Sequence, residues 1–306
     1  MSRAWRNTLA IVLALIVVAA VAPRLYQNHL LLFNFIVFVT LAQGVNVLYG
    51  FTGYLPFGYV GFFGAGAYGF ATAVMHWHAA PALALVVGAL VSVVFGAVLT
   101  PTLRLSGAYF AIANLAAALA IEQIVSNPAL TELTKGPYGV SLPDVFAPTL
   151  SYAVAVGIMV FATGTVSFLR YSRFGQALQA VRDDPISAAT AGINIGRART
   201  IAWLLSALIG GLIGADFAWY VTVFFPDNVF GSNFTIFALV FALFGGVGTV
   251  LGPILGVLLL YGLYNYIGVS TPQYFQLIFG SLIVALVLFL PNGLTSLLRR
   301  WGVGVA

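Results

Sequence analysis

Residues 170–200, RYSRFGQALQAVRDDPISAATAGINIGRART, form the only long charged island in a 306-residue chain that is 61% hydrophobic and 6% charged. Seven of the nineteen Lys, Arg, Asp and Glu residues fall there: Arg170, Arg173, Arg182, Asp183, Asp184, Arg197 and Arg199. Long apolar runs flank the island on both sides. It therefore reads as a structured face on the cytoplasmic side of a membrane, where short basic segments are retained, and such a face is suited to meeting a partner.

Composition agrees. With 25 Phe, 14 Tyr and 33 Gly and a mean hydropathy of +1.05, the chain has too little polar surface for a soluble protein. It reads as an all-α polytopic membrane protein embedded in lipid. The net charge of +5 does not point to nucleic acid, because the basic residues lie singly or in pairs at the ends of apolar runs, as orientation signals do. The absence of Cys excludes thiol catalysis and disulfides. Arg3 and Arg6 followed by an apolar run to Ala22 imitate a secretory signal, with Ala20-Val21-Ala22 resembling a cleavage site. Pro23 directly after it favours a retained first helix.

A span needs about 20 mostly apolar residues, fewer where other helices shelter it. Ten can be placed, at residues 8–22, 30–48, 58–77, 81–103, 106–125, 150–169, 201–221, 233–244, 252–267 and 274–290, the eighth being short. The chain is thus read as one transmembrane domain, 1–306: six spans in 8–169, the cytoplasmic segment 170–200, four spans in 201–290 and a cytoplasmic tail, 291–306. With both termini inside, Arg3, Arg6, Arg104, Arg170, Arg173, Arg182, Arg197, Arg199, Arg299 and Arg300 are cytoplasmic, and only Arg24 and Lys135 are external. The longest outer loop is 126–149.

Two glycine-rich breaks follow inward-running spans: GFTGYLPFG at 50–58 and GGVGTVLGP at 245–253. An offset of 195 superposes Gly50 on Gly245, Gly53 on Gly248 and Gly61 on Gly256. Paired interruptions in two halves of a membrane protein mark broken helices along a substrate path; close helix packing uses the same small residues. On the first reading Gly50, Gly53, Gly58, Gly245, Gly248 and Pro253 border the pathway, with the intramembrane Asn46 and Asn114. A bulky residue at Gly53 or Gly248 is then expected to do more harm than one at the packing glycine Gly88.

Within the island, residues 174–182 read as a short helix. Asp184-Pro185 opens a second, with Asp as N-cap and Pro in the first position, and Gly192 ends it. Ala188, Ala189 and Ala191 give this knob a surface without bulk.

GFTGYLPFGYVGFFGAGAY (50–68), LRLSGAYFAI (103–112), LTKGPYGVS (133–141), FGQALQAVRDD (174–184) with Ala188, Ala189 and GIN (192–194), GGVGTVLGP (245–253) and PNGL (291–294) together resemble the LivM family of branched-chain amino acid ABC-transporter permeases. The resemblance implies an importer in the bacterial inner membrane, built from this chain, a second LivH-like permease, two cytoplasmic ATPases and a periplasmic solute-binding protein. It implies that ATP and Mg are held by the partner ATPases, with no cofactor in this chain. The coupling contact then falls on Arg173, Phe174, Gly175, Ala177, Arg182, Asp183, Asp184, Ala188, Ala189 and Gly192. Three positions depart from the family pattern. Ile186 stands where the general importer signature has a glutamate, Lys135 replaces a glycine of the outer loop, and Asp216 lies where such permeases are apolar.

No catalytic or metal site is legible. The single lysine, Lys135, precedes Gly136, so there is no Walker A motif, and neither Gly-x-Ser-x-Gly nor His-Glu-x-x-His occurs. His76 and His78 beside Trp77 read as an interfacial anchor. Asn114 and Glu122, eight apart, share nearly one helical face. Asp216 follows the small-residue stripe Gly210, Gly211 and Gly214, which brings it against another helix, where buried structural hydrogen bonding is its expected role. The competing class is a secondary transporter using Glu122 and Asp216 as ion sites. Branched-chain amino acids are the first choice of solute, with other amino acids, amides or urea as relatives' substrates.

Overall fold

The computed structural model describes residues 3–270, isolated positions from 274 to 284, and residues 293–296. The expected tenth span, 274–290, and most of the tail, including Arg299 and Arg300, lie outside the described residues. The helices are α1 (Arg3–Leu25), α2 (His29–Val45), α3 (Val60–Trp77), α4 (Pro81–Val98), α5 (Ala108–Val125), α6 (Thr131–Thr134), α7 (Pro148–Tyr171), α8 (Arg173–Asp183), α9 (Pro185–Thr190), α10 (Ile195–Val221), α11 (Pro226–Phe230), α12 (Ser232–Gly245) and α13 (Leu251–Ser270).

Nine of the ten expected spans thus fall on helices. Among the described residues seven helical stretches are long and apolar enough to cross a bilayer, the first being His29–Gly50 and the last Leu251–Gly268. The apolar part of α1, Ile11–Arg24, is shorter. α3 is not among the seven, and the reason is its environment. It packs against α4, α5, α10 and α11, so glycines and Tyr68 replace the aliphatic residues that a lipid-facing helix would carry. The short eighth span is extended by α11, giving a 20-residue stretch over Pro226–Gly245.

α3, α4 and α10 form the tightest part of the bundle. A Cβ at Gly66 would collide with the Gly211 carbonyl, one at Gly214 with the Phe63 carbonyl, and one at Gly88 would sit 2.5 Å from the Gly66 carbonyl oxygen. Small residues here let backbones touch, which is how helices associate where lipid removes the hydrophobic driving force. Gly88 is therefore no mild comparison for the breaks: its side-chain space is already filled. α2 is enclosed by α7, α10, α12 and α13, and Phe38 meets Phe234, Phe241 and Tyr261 at 5.3–5.6 Å.

At the end of the bundle assigned to the outside, residues 126–149 are ordered rather than loose. Strand β1 (Val140–Ser141) pairs antiparallel with β2 (Val223–Phe224), after α10. Trp219 donates its indole N–H to the Val145 carbonyl at 2.8 Å. His76 Nε2 lies 3.0 Å from the Leu133 carbonyl, so this histidine, read from sequence as an interfacial anchor, fastens α3 to the loop. Lys135 adopts φ 63°, a left-handed backbone that glycine enters without strain. That is a physical reason for glycine to be the expected residue there.

Candidate translocation and coupling site

At the opposite end the two glycine breaks meet. α2 passes into a π-helical turn over Asn46–Gly50, and after two more helical residues the chain runs irregularly, with a turn at 57–59, to the start of α3. α12 stops at Gly245, and α13 begins at Leu251. Asn46, fully buried, accepts from the Gly248 N–H at 2.7 Å and donates to the Thr249 carbonyl at 2.9 Å. Gln43, one turn back, donates to the Val250 carbonyl at 2.9 Å. These bonds satisfy backbone groups that the interrupted helices leave open, as burial in a membrane protein requires. Gly53 and Gly248, superposed by the 195-residue offset, hold φ of 76° and 75°. Gly50 is close-packed: a Cβ there would lie 2.7 Å from the Gly248 nitrogen.

The remaining pathway candidates separate into two groups. Gly58 donates to Asn114 Oδ1 at 2.8 Å, and a Cβ on it would collide with the Asn114 carbonyl; both residues are buried between the first break and α5. Gly245 and Pro253 are buried at the α12–α13 junction, where Gly245 lies against the Gly252 carbonyl. Gly53, by contrast, is exposed and borders an apolar groove between the first break and α5, walled by Tyr54, Leu55, Phe57, Ala111, Ile112 and Leu115. The second break borders instead a polar pocket with Gly50, Arg170, Gln179 and Arg182.

The island folds into α8 and α9 as its sequence predicts. Ser172 caps α8 by accepting from the Gly175 N–H. Asp184 caps α9, accepting from the Ile186 N–H at 2.9 Å and from the Ser187 hydroxyl at 2.5 Å; the Ser187 bond above all holds its carboxyl below the usual range. Gly192 takes φ 84°. The island is shorter than expected, however: Asn194 caps α10 by accepting from the Arg197 N–H, so Arg197 and Arg199 belong to that helix.

Exposure divides the coupling residues. Arg173, Asp183, Asp184, Ala189 and Gly192 are exposed, and Phe174 and Ala177 are half-buried. Gly175 and Ala188 are buried, which corrects the expectation of Ala188 as outer surface. A Cβ at Gly175 would collide with the Leu169 carbonyl at the end of α7. Ile186, at the departure from the importer signature, is 78% exposed.

Arg182, though exposed, donates to the Gly50 carbonyl at 2.6 Å. Arg199, from the first turns of α10, lies over the Tyr54 ring at 4.7 Å. Arg182 of the island and Arg199 of α10 thus both hold the first break, at Gly50 and at Tyr54. Sequence reasoning placed Arg182 in the coupling set but missed Arg199, Gln43 and Thr249. The three-residue spacing of Gln43 and Asn46 on one apolar helix was the available signal for Gln43.

Asp216 lies on α10, fully buried, and accepts from the Ser151 hydroxyl of α7 at 3.1 Å through Oδ1. Its Oδ2 has no hydrogen-bond partner among the described residues. Asp216 and Glu122 sit on different helices, α10 and α5.

Residues 29–287 match the family described as branched-chain amino acid transport system, permease component. The chain belongs to that family of permeases. It is 27% identical to the high-affinity branched-chain amino acid transport permease LivM of Salmonella typhimurium, over 86% of this chain and 68% of that protein. With LivM of Escherichia coli it shares 26% identity over 65% of this chain, spanning about half (53%) of that relative's length. LivH of Escherichia coli is also similar, 25% identical over 53% of this chain and 57% of its own. No solved structure matches this family member.

Proposed function

We propose that this chain is the LivM-like half of the translocation pathway of an ATP-driven importer for branched-chain amino acids, working with a LivH-like permease, two cytoplasmic ATPases and a solute-binding protein. Its ten spans leave both termini inside, in a bacterial inner membrane. The observation that carries the reading, within a family of transport permeases, is the link from the charged island to the helix breaks through Arg182 and Gly50. A secondary transporter has no use for an exposed pair of short helices wired to its membrane interior. An importer driven by a separate ATPase does, because closure of that ATPase must reach the pathway through a rigid lever.

In this account the partner ATPase takes the exposed side of α8 and α9, with Ile186 supplying an apolar contact in place of the signature's glutamate. Motion of α8 pulls the first break through Arg182, and the second follows through Asn46. The apolar groove beside Gly53 belongs to the pathway and faces the second permease.

Reconstitution tests this. The four-component complex in proteoliposomes is expected to take up leucine only with ATP on the ATPase side and binding protein on the other. Uptake by this chain without an ATPase, following a proton or sodium gradient, would overturn it.

A further inference from the structure

A polar pocket of about 520 Å³ opens at the inner end of the bundle, where α7 ends, α8 passes and the second break turns. Small-molecule sites span roughly 300–1,000 Å³, so the space is ample for a ligand. Arg170 in the last turn of α7, Gln179 and Arg182 of α8, and Gly248 and Thr295 line it. Arg170 and Gln179 are half-buried. Arg182 uses one N–H on the Gly50 carbonyl, and its Nη1 lies 3.9 Å from the place a Cβ on Gly248 would take. Its guanidinium therefore stands inside the pocket, between the two breaks.

These arginines are not neutralised. Among the described residues Arg170 has neither hydrogen bond nor ion pair, and Arg182 has no ion pair. Asp183, exposed at the same pocket, bridges neither of them. Two guanidinium groups against one unpaired carboxylate leave the pocket positive and rich in donors. Arginine does not shed its charge, so the site calls for an anion. One guanidinium fork already matches a carboxylate, whereas a phosphate presents oxygens in enough directions for two. Basic pockets between helices at the cytoplasmic surface hold phosphate-bearing head groups in this way. We propose that the pocket binds a phosphate group, held between Arg170 and Arg182 with Gln179 and Thr295 as further donors. The group is carried by an anionic lipid of the inner leaflet or by a soluble phosphate compound. The proposal rests on the import reading only for the orientation that puts the pocket at the cytoplasmic surface.

The test is binding of radiolabelled dioleoyl phosphatidylglycerol, and separately of radiolabelled inorganic phosphate, to the purified full chain in detergent. Saturable binding of at least one is expected. The lipid alone would assign the site to a head group; binding of inorganic phosphate would assign it to soluble phosphate compounds as well. Dioleoylglycerol, with the same acyl chains and no phosphate, should not compete. Arg170→Gln and Gln179→Glu are each expected to weaken binding about tenfold, through loss of a charge-assisted hydrogen bond or an added repulsion. Arg104→Gln, exposed and outside the pocket, should bind as the unaltered chain does. Binding of neither probe, equal affinity in the two pocket variants and the unaltered chain, or competition by dioleoylglycerol would overturn the proposal. So would the same loss in Arg104→Gln, which would reduce the effect to overall charge. If Arg170→Gln fails to fold, Gln179→Glu gives the comparison. The binding needs no ATPase and no turnover, so leucine uptake measured in parallel judges the import reading separately.

Discussion

Asn46 and Gly248, 202 residues apart, are joined by a 2.7 Å hydrogen bond from the Gly248 N–H to the Asn46 side-chain oxygen. The same amide donates to the Thr249 carbonyl, so one side chain satisfies both a donor and an acceptor of the opposite break. The two interruptions are a single unit.

Asn46→Ala removes both partners at once. It is expected to destabilise the protein by about 1–3 kcal/mol for each buried backbone group left unpaired. Asn46→Asp keeps the acceptor for Gly248 but buries a carboxyl against the Thr249 carbonyl, and should lose at least as much. Thermal unfolding of the purified chain in detergent checks the order; equal melting of all three proteins would show that the knot contributes nothing.

The island offers a contrast between neighbours. Ala188 is buried and Ala189 is exposed, so Ala188→Arg should lower yield and stability, because it forces a charged side chain into a packed site. Ala189→Arg and Ile186→Glu should leave yield and melting unchanged while weakening capture of the ATPase in a pull-down. Similar melting for Ala188→Arg and Ala189→Arg would contradict the placement of α9.

At Gly53 the hindrance is conformational rather than steric. The nearest atom to an added Cβ is Arg182 Cγ at 3.3 Å, but φ is 76°, and a non-glycine residue there costs about 1–2 kcal/mol. Gly53→Ala should therefore show that loss. Gly157→Ala, where nothing lies within 4 Å of the added atom, should stabilise α7 slightly through helix propensity. Gly88→Ala should be worse than both, since its Cβ meets backbone at 2.5 Å. Melting temperatures of the three variants give the ranking.

Asp216→Asn keeps an oxygen for the Ser151 hydroxyl and should retain assembly and most ATP-driven uptake. Abolished uptake in a normally assembled complex would give Asp216 a transport role and revive the ion-coupled alternative.

What was legible in the sequence depended on local signals. The two short helices of the island could be read because Asp184, Pro185 and Gly192 mark their ends chemically. The breaks could be read because glycine and proline punctuate otherwise apolar runs. α3 could be read as the span 58–77 because Phe, Val and Ala still outweigh its glycines, even though other helices enclose it. The partners of Asn46 were not readable, because a contact across 202 residues leaves no trace in local pattern. Nor was the inward turn of Ala188: an alanine suits either side of a helix, and only the packing of α9 decides which. Arg199 looked like an orientation charge, and its place over Tyr54 follows from where α10 begins.

The central claim is that α8 drives the breaks through Arg182. The measurement is the ratio of leucine taken up to ATP hydrolysed in the reconstituted complex, for the unaltered chain, Arg182→Lys and Arg182→Ala. Arg182→Ala is predicted to hydrolyse ATP at near the unaltered rate while losing most uptake, with Arg182→Lys between them because it retains a donor for the Gly50 carbonyl. An unchanged ratio in Arg182→Ala would contradict the account.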